Sequence, residues 1–326
     1  MLSTSATVME IGHVGFAQRL FDSMRLKGNP IVAGIDPRVE SLPIGLLEKF
    51  DNSLQGRAEA FLQFGSDVLR VIAPLVPAVK FQAAFYEALG PHGMAALSNS
   101  ILFAKSLGLL VILDGKRNDI GSTAEAYAQA YLDSTPAGAA GACPWDVDCL
   151  TINPYLGSDG IQPFSRLASA SGRGLFVLVR TSNPSAREIQ DLVSGGRTIY
   201  QHVAELVNDW ARPLRDESGY SLMGAVVGAT YPDELAELRA SMPGIVFLVP
   251  GYGAQGGTAR DVASAFDENG LGAVVNNSRG LTFAFHRKDL ASRFGSNWQR
   301  AIEEAALEMI NDLALNTPAR LLRTNN

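Results

Sequence analysis

The sequence predicts a (β/α)8 barrel, and two observations carry that prediction. Short β-rich runs alternate with longer helical patterns through nearly the whole chain. No phosphate-binding glycine fingerprint follows the first run, as an open doubly wound sheet would require; DPRVESLP stands there instead. The candidate strands are PIVAGI (30–35), PAVKF (77–81), LLVILD (109–114), CLTIN (149–153), GLFVLVR (174–180), LMGAVVG (222–228), IVFLVP (245–250) and AVVNN (273–277). Most are unbroken apolar runs, the pattern of parallel strands covered on both faces. Between them, segments such as AEAFLQFGSDVLRVI (58–72) and GRTIYQHVAELVNDWARPL (196–214) carry helical spacing. A helix over about 15–26 precedes the first strand, and a long one over about 297–313 follows the last. Eight strands with a helix after each is the count that closes such a barrel.

The 326 residues are expected to form a single domain spanning 1–326, because these barrels often use this length as one unit. Two stretches read as additions: STPAGAAGACPWDVD (134–148), rich in Ala, Gly and Pro, and a polar tail after about 314 expected to be mobile. With 27 Lys and Arg against 33 Asp and Glu, the formal charge is −6, and no basic run points to nucleic acid. The N-terminus lacks the basic and apolar blocks of a secretion signal, and no apolar run approaches the ~20 residues that span a bilayer. Two cysteines, Cys143 and Cys149, are too few for a disulfide framework and fit a reducing cytoplasm.

In such a barrel, polar residues at the C-terminal strand ends face the active site. Those ends supply Asp36, Lys80, Asp114 with Lys116, Asn153, Arg180 with Ser182, Pro250 to Gln255, and Arg279. Any one of them alone reads as a solvated loop residue; their common placement at one end of a barrel does not. The densest cluster lies in LDGKRNDI (113–120). Asp114 and Lys116, two apart on a strand, leave on the same side. Asp119 opens the next helix, where the dipole favours a carboxylate and plain N-capping is the ordinary role. Flanking carboxylates favour the ammonium form of Lys116, which suits a proton donor rather than a Schiff-base amine.

The Gly-rich VPGYGAQGG (249–257) leaves the seventh strand and SRG (278–280) the eighth. These are the positions of the usual phosphate site, where backbone amides and Arg279 can receive an anion. His13, His92, His202 and His286 fall away from the strand ends and read as surface or packing residues. They leave no material for a histidine triad or a zinc site.

With these motifs the chain resembles the orotidine 5'-phosphate decarboxylases over about 16–290, and their longer bacterial branch most closely. The DxKxxDI core (Asp114, Lys116, Asp119, Ile120) carries the likeness. The resemblance implies a homodimeric, cofactor-independent and metal-free enzyme of pyrimidine synthesis. It implies that Asp36 holds the ribose hydroxyls and that Lys80 is the second lysine of an alternating Asp–Lys array. Asp114 is implied beside the substrate carboxylate and Lys116 as the proton donor. Asp119 and Thr123 are implied to reach the neighbouring subunit's site, Ser182 to read the pyrimidine, and Gln255 with Arg279 to clamp the phosphate. Gly121 departs from the pattern, since shorter members carry proline there.

Two rival functions have their own signatures. A magnesium-dependent aldolase or decarboxylase of sugar phosphates needs an acidic ligand at the end of the second strand, where Lys80 would repel the ion. A non-catalytic nucleotide-binding barrel is expected to have lost at least one charge of the array, and all are present.

Overall fold

The computed structural model describes residues 14–133, 145–253 and 256–323. The eight expected runs form the parallel strands β1 (Ile31–Ile35), β2 (Ala78–Gln82), β3 (Leu110–Arg117), β4 (Cys149–Ile152), β5 (Gly174–Arg180), β6 (Met223–Val227), β7 (Phe247–Val249) and β8 (Ala273–Asn277). They close into a barrel in sequential order, with β1 pairing both β2 and β8. Nearly every strand residue is buried, as continuous apolar sequence requires when helices cover the outer face and side chains fill the interior. The ladder is irregular at two places, between Leu113 and Arg117 of β3 and between Leu178 and Arg180 of β5. Both lie where a strand hands its chain to the mouth of the barrel.

The outer layer contains α1 (Phe16–Lys27), α2 (Leu54–Ile72), α3 (Gly90–Ser106), α4 (Gly121–Leu132), α5 (Ser158–Ser171), α6 (Ile199–Ala211), α7 (Pro232–Ser241) and α8 (Trp298–Asn316). The expectation of a helix after every strand fails after β7. The described part of that connection, rich in glycine with positive φ at Gly251, Gly253 and Gly256, forms only a 3-10 turn at Ala263–Ala265. Gly121, the departure from the family's proline, takes φ +54° at the first position of α4. Proline is locked near −65° and could not stand there.

α1 closes the N-terminal end of the barrel. Phe16 packs edge-on against Phe176, and a Cβ at Gly174 would lie 2.2 Å from the Phe16 ring, so only glycine admits the helix this closely. Asp148, buried just before β4, is ion-paired with Arg19 and accepts from the Val111 amide. The stretch after 314 first completes α8 at Asn316. It runs on as a 3-10 segment, Pro318–Arg323, that buries Ala319 and Leu322 against the core. Of the expected insertion 134–148, residues 134–144 lie outside the described residues; Trp145 stacks on Tyr131 and Val147 is buried. No described helix is long and apolar enough to cross a membrane.

Candidate active site

A cavity of about 1210 Å3 opens at the C-terminal end of the barrel, and every strand or the loop after it contributes to its wall. Asp36 follows β1, Lys80 and Gln82 end β2, and Asp114 and Lys116 end β3. Thr151 comes from β4, Thr181 and Ser182 follow β5, and Val226 belongs to β6. Pro250 to Tyr252 leave β7, and Asn276 to Arg279 finish β8. Of the residues singled out in the sequence, Asp36, Lys80, Asp114, Lys116, Ser182 and Arg279 therefore meet in one cavity. Asp119 and Thr123 do not line it, and Gln255 lies outside the described residues.

Asp114 is the hub, and both of its oxygens are fully engaged. Oδ1 lies 2.6 Å from the Lys116 ammonium and accepts from the Thr151 hydroxyl at 2.9 Å. Oδ2 accepts from Lys80 Nζ at 2.9 Å and from the Gln82 amide at 3.1 Å. Burial alone would push this carboxyl up. The two ammonium groups outweigh it and hold Asp114 well below the usual carboxylate range. Lys80 is 5% exposed, and burial opposes its charge; Asp114 and Asp36 outweigh that and raise it above the ordinary lysine value. Both residues are thus fixed as ions near neutral pH.

Lys116 differs from Lys80 in access. Its side chain is 45% exposed while still paired with Asp114, so its ammonium faces the open cavity. Asp36 Oδ1 stands 4.0 Å from Lys80 Nζ and is buried without a hydrogen-bond partner among the described residues. Such an acceptor is costly to bury unless a ligand donor meets it. Three strands round the barrel from β3, Ser278 and Arg279 begin a short helical turn, Arg279–Thr282, beside Gly251. An exposed guanidinium at this end suits an anionic group.

Some sequence readings change here. Arg180, taken as a mouth residue, is 1% exposed and lies behind the wall, paired with Asp191 at 2.6 Å and Glu234 at 3.7 Å. Asn153 does not line the cavity either; its side chain accepts from the Tyr155 amide and caps the turn Pro154–Leu156. His286, assigned to packing or surface, borders the cavity, with Nε2 2.9 Å from the Ser41 carbonyl. The sequence reading missed Thr151, Gln82 and Asn276. Each is a polar residue at or near the end of an apolar strand, the same signal that found Lys80.

A closed parallel barrel whose mouth gathers an Asp–Lys charge array and an exposed arginine defines a (β/α)8-barrel enzyme. The chain belongs to the orotidine 5'-phosphate decarboxylase / HUMPS family, whose model matches residues 58–294. It is 48% identical over 300 residues to the orotidine 5'-phosphate decarboxylase of Rhodopirellula baltica, covering 91% of this chain and 98% of that one. It is 38% identical over 276 residues to that of Caldicellulosiruptor bescii, covering 83% and 90%. Among solved structures, the OMP decarboxylase of Leishmania donovani matches with a TM-score of 0.69 at 30% identity, covering 92% of this chain and 98% of that one.

Proposed function

We propose that this chain converts orotidine 5'-phosphate to uridine 5'-phosphate and carbon dioxide, the final step of UMP synthesis, without a cofactor. The observation that carries the reading is the Asp114 carboxylate held between the Lys80 and Lys116 ammonium groups inside the cavity. Breaking the bond between C6 and the carboxylate leaves an electron pair on C6, with no conjugated group to receive it. An ammonium already in place stabilises that charge without reorganisation. Lys116, the exposed member of the pair, then delivers its proton to C6 and regains one from water. Asp114 faces the departing carboxylate and disfavours the ground state.

The remaining roles are those that the family resemblance implies. Asp36, with its unpartnered oxygen next to Lys80, holds the ribose hydroxyls. Ser182 contacts the pyrimidine, and Arg279 with Gln255 binds the phosphate. A barrier reduction of ~8–23 kcal/mol is beyond one lysine. Binding energy from the remote phosphate, spent on closing the loop after β7, supplies a further share. Lys80 argues against the magnesium-dependent sugar-phosphate reading, because its buried ammonium occupies the place of an acidic ligand.

The enzyme is proposed to act as a one-domain cytoplasmic homodimer, with Asp119 and Thr123 completing the partner's site. Their segment stands outside the chain's own cavity and carries exposed Ile120 and Tyr127, consistent with burial against a second subunit.

The test is direct. Chelator-treated protein is mixed with orotidine 5'-phosphate and the pyrimidine absorbance followed. No turnover refutes the assignment, and turnover abolished by the chelator transfers it to the metal-dependent reading. A near-normal rate in Lys116→Ala refutes the role of that lysine. Mixing Asp119→Asn with Lys116→Ala should restore activity; failure with subunit exchange demonstrated refutes the shared site.

A further inference from the structure

Lys116 has φ +46°, the left-handed region that a residue with a Cβ holds only when its surroundings secure it. The β-ladder does not secure it. Leu113 pairs with Leu150 and Arg117 with Ile152, so Asp114, Gly115 and Lys116 all bulge opposite the single residue Thr151. Thr151 is 1% exposed, and its hydroxyl makes one contact as acceptor and one as donor. It accepts from the Lys116 backbone N–H at 3.0 Å and donates to Asp114 Oδ1 at 2.9 Å. The Lys116 ammonium returns to that same Oδ1 at 2.6 Å. One oxygen therefore ties the strained backbone of the lysine to the carboxylate that pairs with its ammonium. From the other side, Arg117 donates to the Gly115 carbonyl at 2.9 Å and is ion-paired with Glu87.

We propose that Thr151 is a positioning residue of the active site, whose hydroxyl holds the β3 bulge so that the Lys116 ammonium is aimed at the reacting carbon. The proposal rests on the reading of Lys116 as proton donor. Without the hydroxyl, the Lys116 amide has no acceptor, Asp114 Oδ1 loses one of its two donors, and the backbone is free to leave the left-handed region. The ammonium then shifts by about an ångström, a displacement that costs on the order of 100-fold in rate. Arg279 and Ser182, which follow other strands, keep their places, so substrate affinity changes little.

The experiment compares Thr151→Ser, Thr151→Ala and Thr151→Val in steady-state decarboxylation of orotidine 5'-phosphate, with inhibition by uridine 5'-phosphate as a binding readout. Ser and Ala both lose the methyl and differ only in the hydroxyl, so this pair decides the matter even if the valine variant does not fold. Ser should keep kcat within about threefold of wild type. Ala and Val should lose roughly 30- to 100-fold in kcat, with KM and the inhibition constant within about threefold. Ala as fast as Ser, or a loss confined to KM, would overturn the proposal. An inactive wild type overturns the assigned reaction itself, an outcome distinct from any of these.

Discussion

Replacing Arg180 with methionine tests whether the loop after β5 is held from behind by a buried cation. Arg180 ends β5, is 1% exposed, and stacks over the Tyr231 ring at 4.1 Å. Its guanidinium pairs with Asp191 and reaches Gln190 Oε1 at 3.5 Å. Gln190 in turn accepts from the Thr181 amide at 3.0 Å and donates to the Thr181 hydroxyl at 2.7 Å. Gln190 thereby ties the two ends of the loop carrying Ser182 together, and the Arg180 guanidinium backs its far end. Breaking a buried pair costs ~3–5 kcal/mol when the remaining ion stays buried. Here the Asp191 and Glu234 side chains are 37% and 30% exposed, so water can take up part of the lost pairing, although Asp191 Oδ1 itself is buried. The discount for that solvation leaves a loss of about 2–3 kcal/mol. A 326-residue chain gains ~0.7 kcal/mol per degree in unfolding entropy, so Tm should fall by about 3–4 °C. Substrate binding must then order a loosened loop at ~1–2 kcal/mol, a rise in KM of roughly 5- to 30-fold. Scanning fluorimetry and steady-state rates read the two effects. Arg180→Met with wild-type Tm and wild-type KM would refute the clamp, whereas a Tm loss without a KM change would make Arg180 a stability residue only.

Other consequences are accessible to simpler measurements. Gly228→Ala would place a Cβ 2.9 Å from Ser182 Cβ and 3.0 Å from its backbone nitrogen, so the loop must move. A 10- to 100-fold loss in kcat/KM is expected, on the order of what a 1 Å misplacement costs, and wild-type kinetics would contradict it. Asp114, depressed in the folded protein, contributes stability that is full above the ordinary 3.8 and lost as pH falls towards its folded value. Lys80, raised in the folded protein, contributes stability that is full below 10.5 and lost at higher pH. The Tm difference between wild type and Asp114→Asn should therefore be flat through neutral pH and shrink below about pH 3.8; a gap that widens in acid would reverse the sign of this coupling. Cys149 is buried, and burial with Asp148 beside it pushes its thiol well up. Iodoacetamide at mild alkaline pH should label it only after denaturation, as peptide mass mapping can check, and rapid native labelling would contradict its placement.

What the sequence made legible, and what it left hidden, divides along a physical line. The strands were readable because a parallel barrel buries both faces, which forces unbroken apolar runs such as LLVILD and GLFVLVR. The charges were readable because a Lys or Asp ending such a run has one cavity to enter; Lys80 and Asp114 both do. The hub's neutral donors were hidden by the same logic. Thr151 and Gln82 share the strand-end position of Lys80 but carry no charge to single them out, and the register that sets β4 and β2 beside β3 makes them ligands of one carboxylate. Arg180 was misplaced for the converse reason. A charge at a strand end is assumed to face the mouth, but the irregular pairing between Leu178 and Arg180 accompanies a side chain that points behind the wall, where Asp191 and Glu234 receive it. The same kind of irregularity at β3 sets Lys116 in a left-handed turn. Alternation along a strand predicts where a side chain goes only while the ladder stays regular. In this barrel it fails at the two strand ends that present Lys116 to the cavity and the Ser182 loop to its rim. Strand ends that leave the regular ladder are therefore where a sequence reading of such a barrel should look for positioned chemistry and should least trust the direction of a side chain.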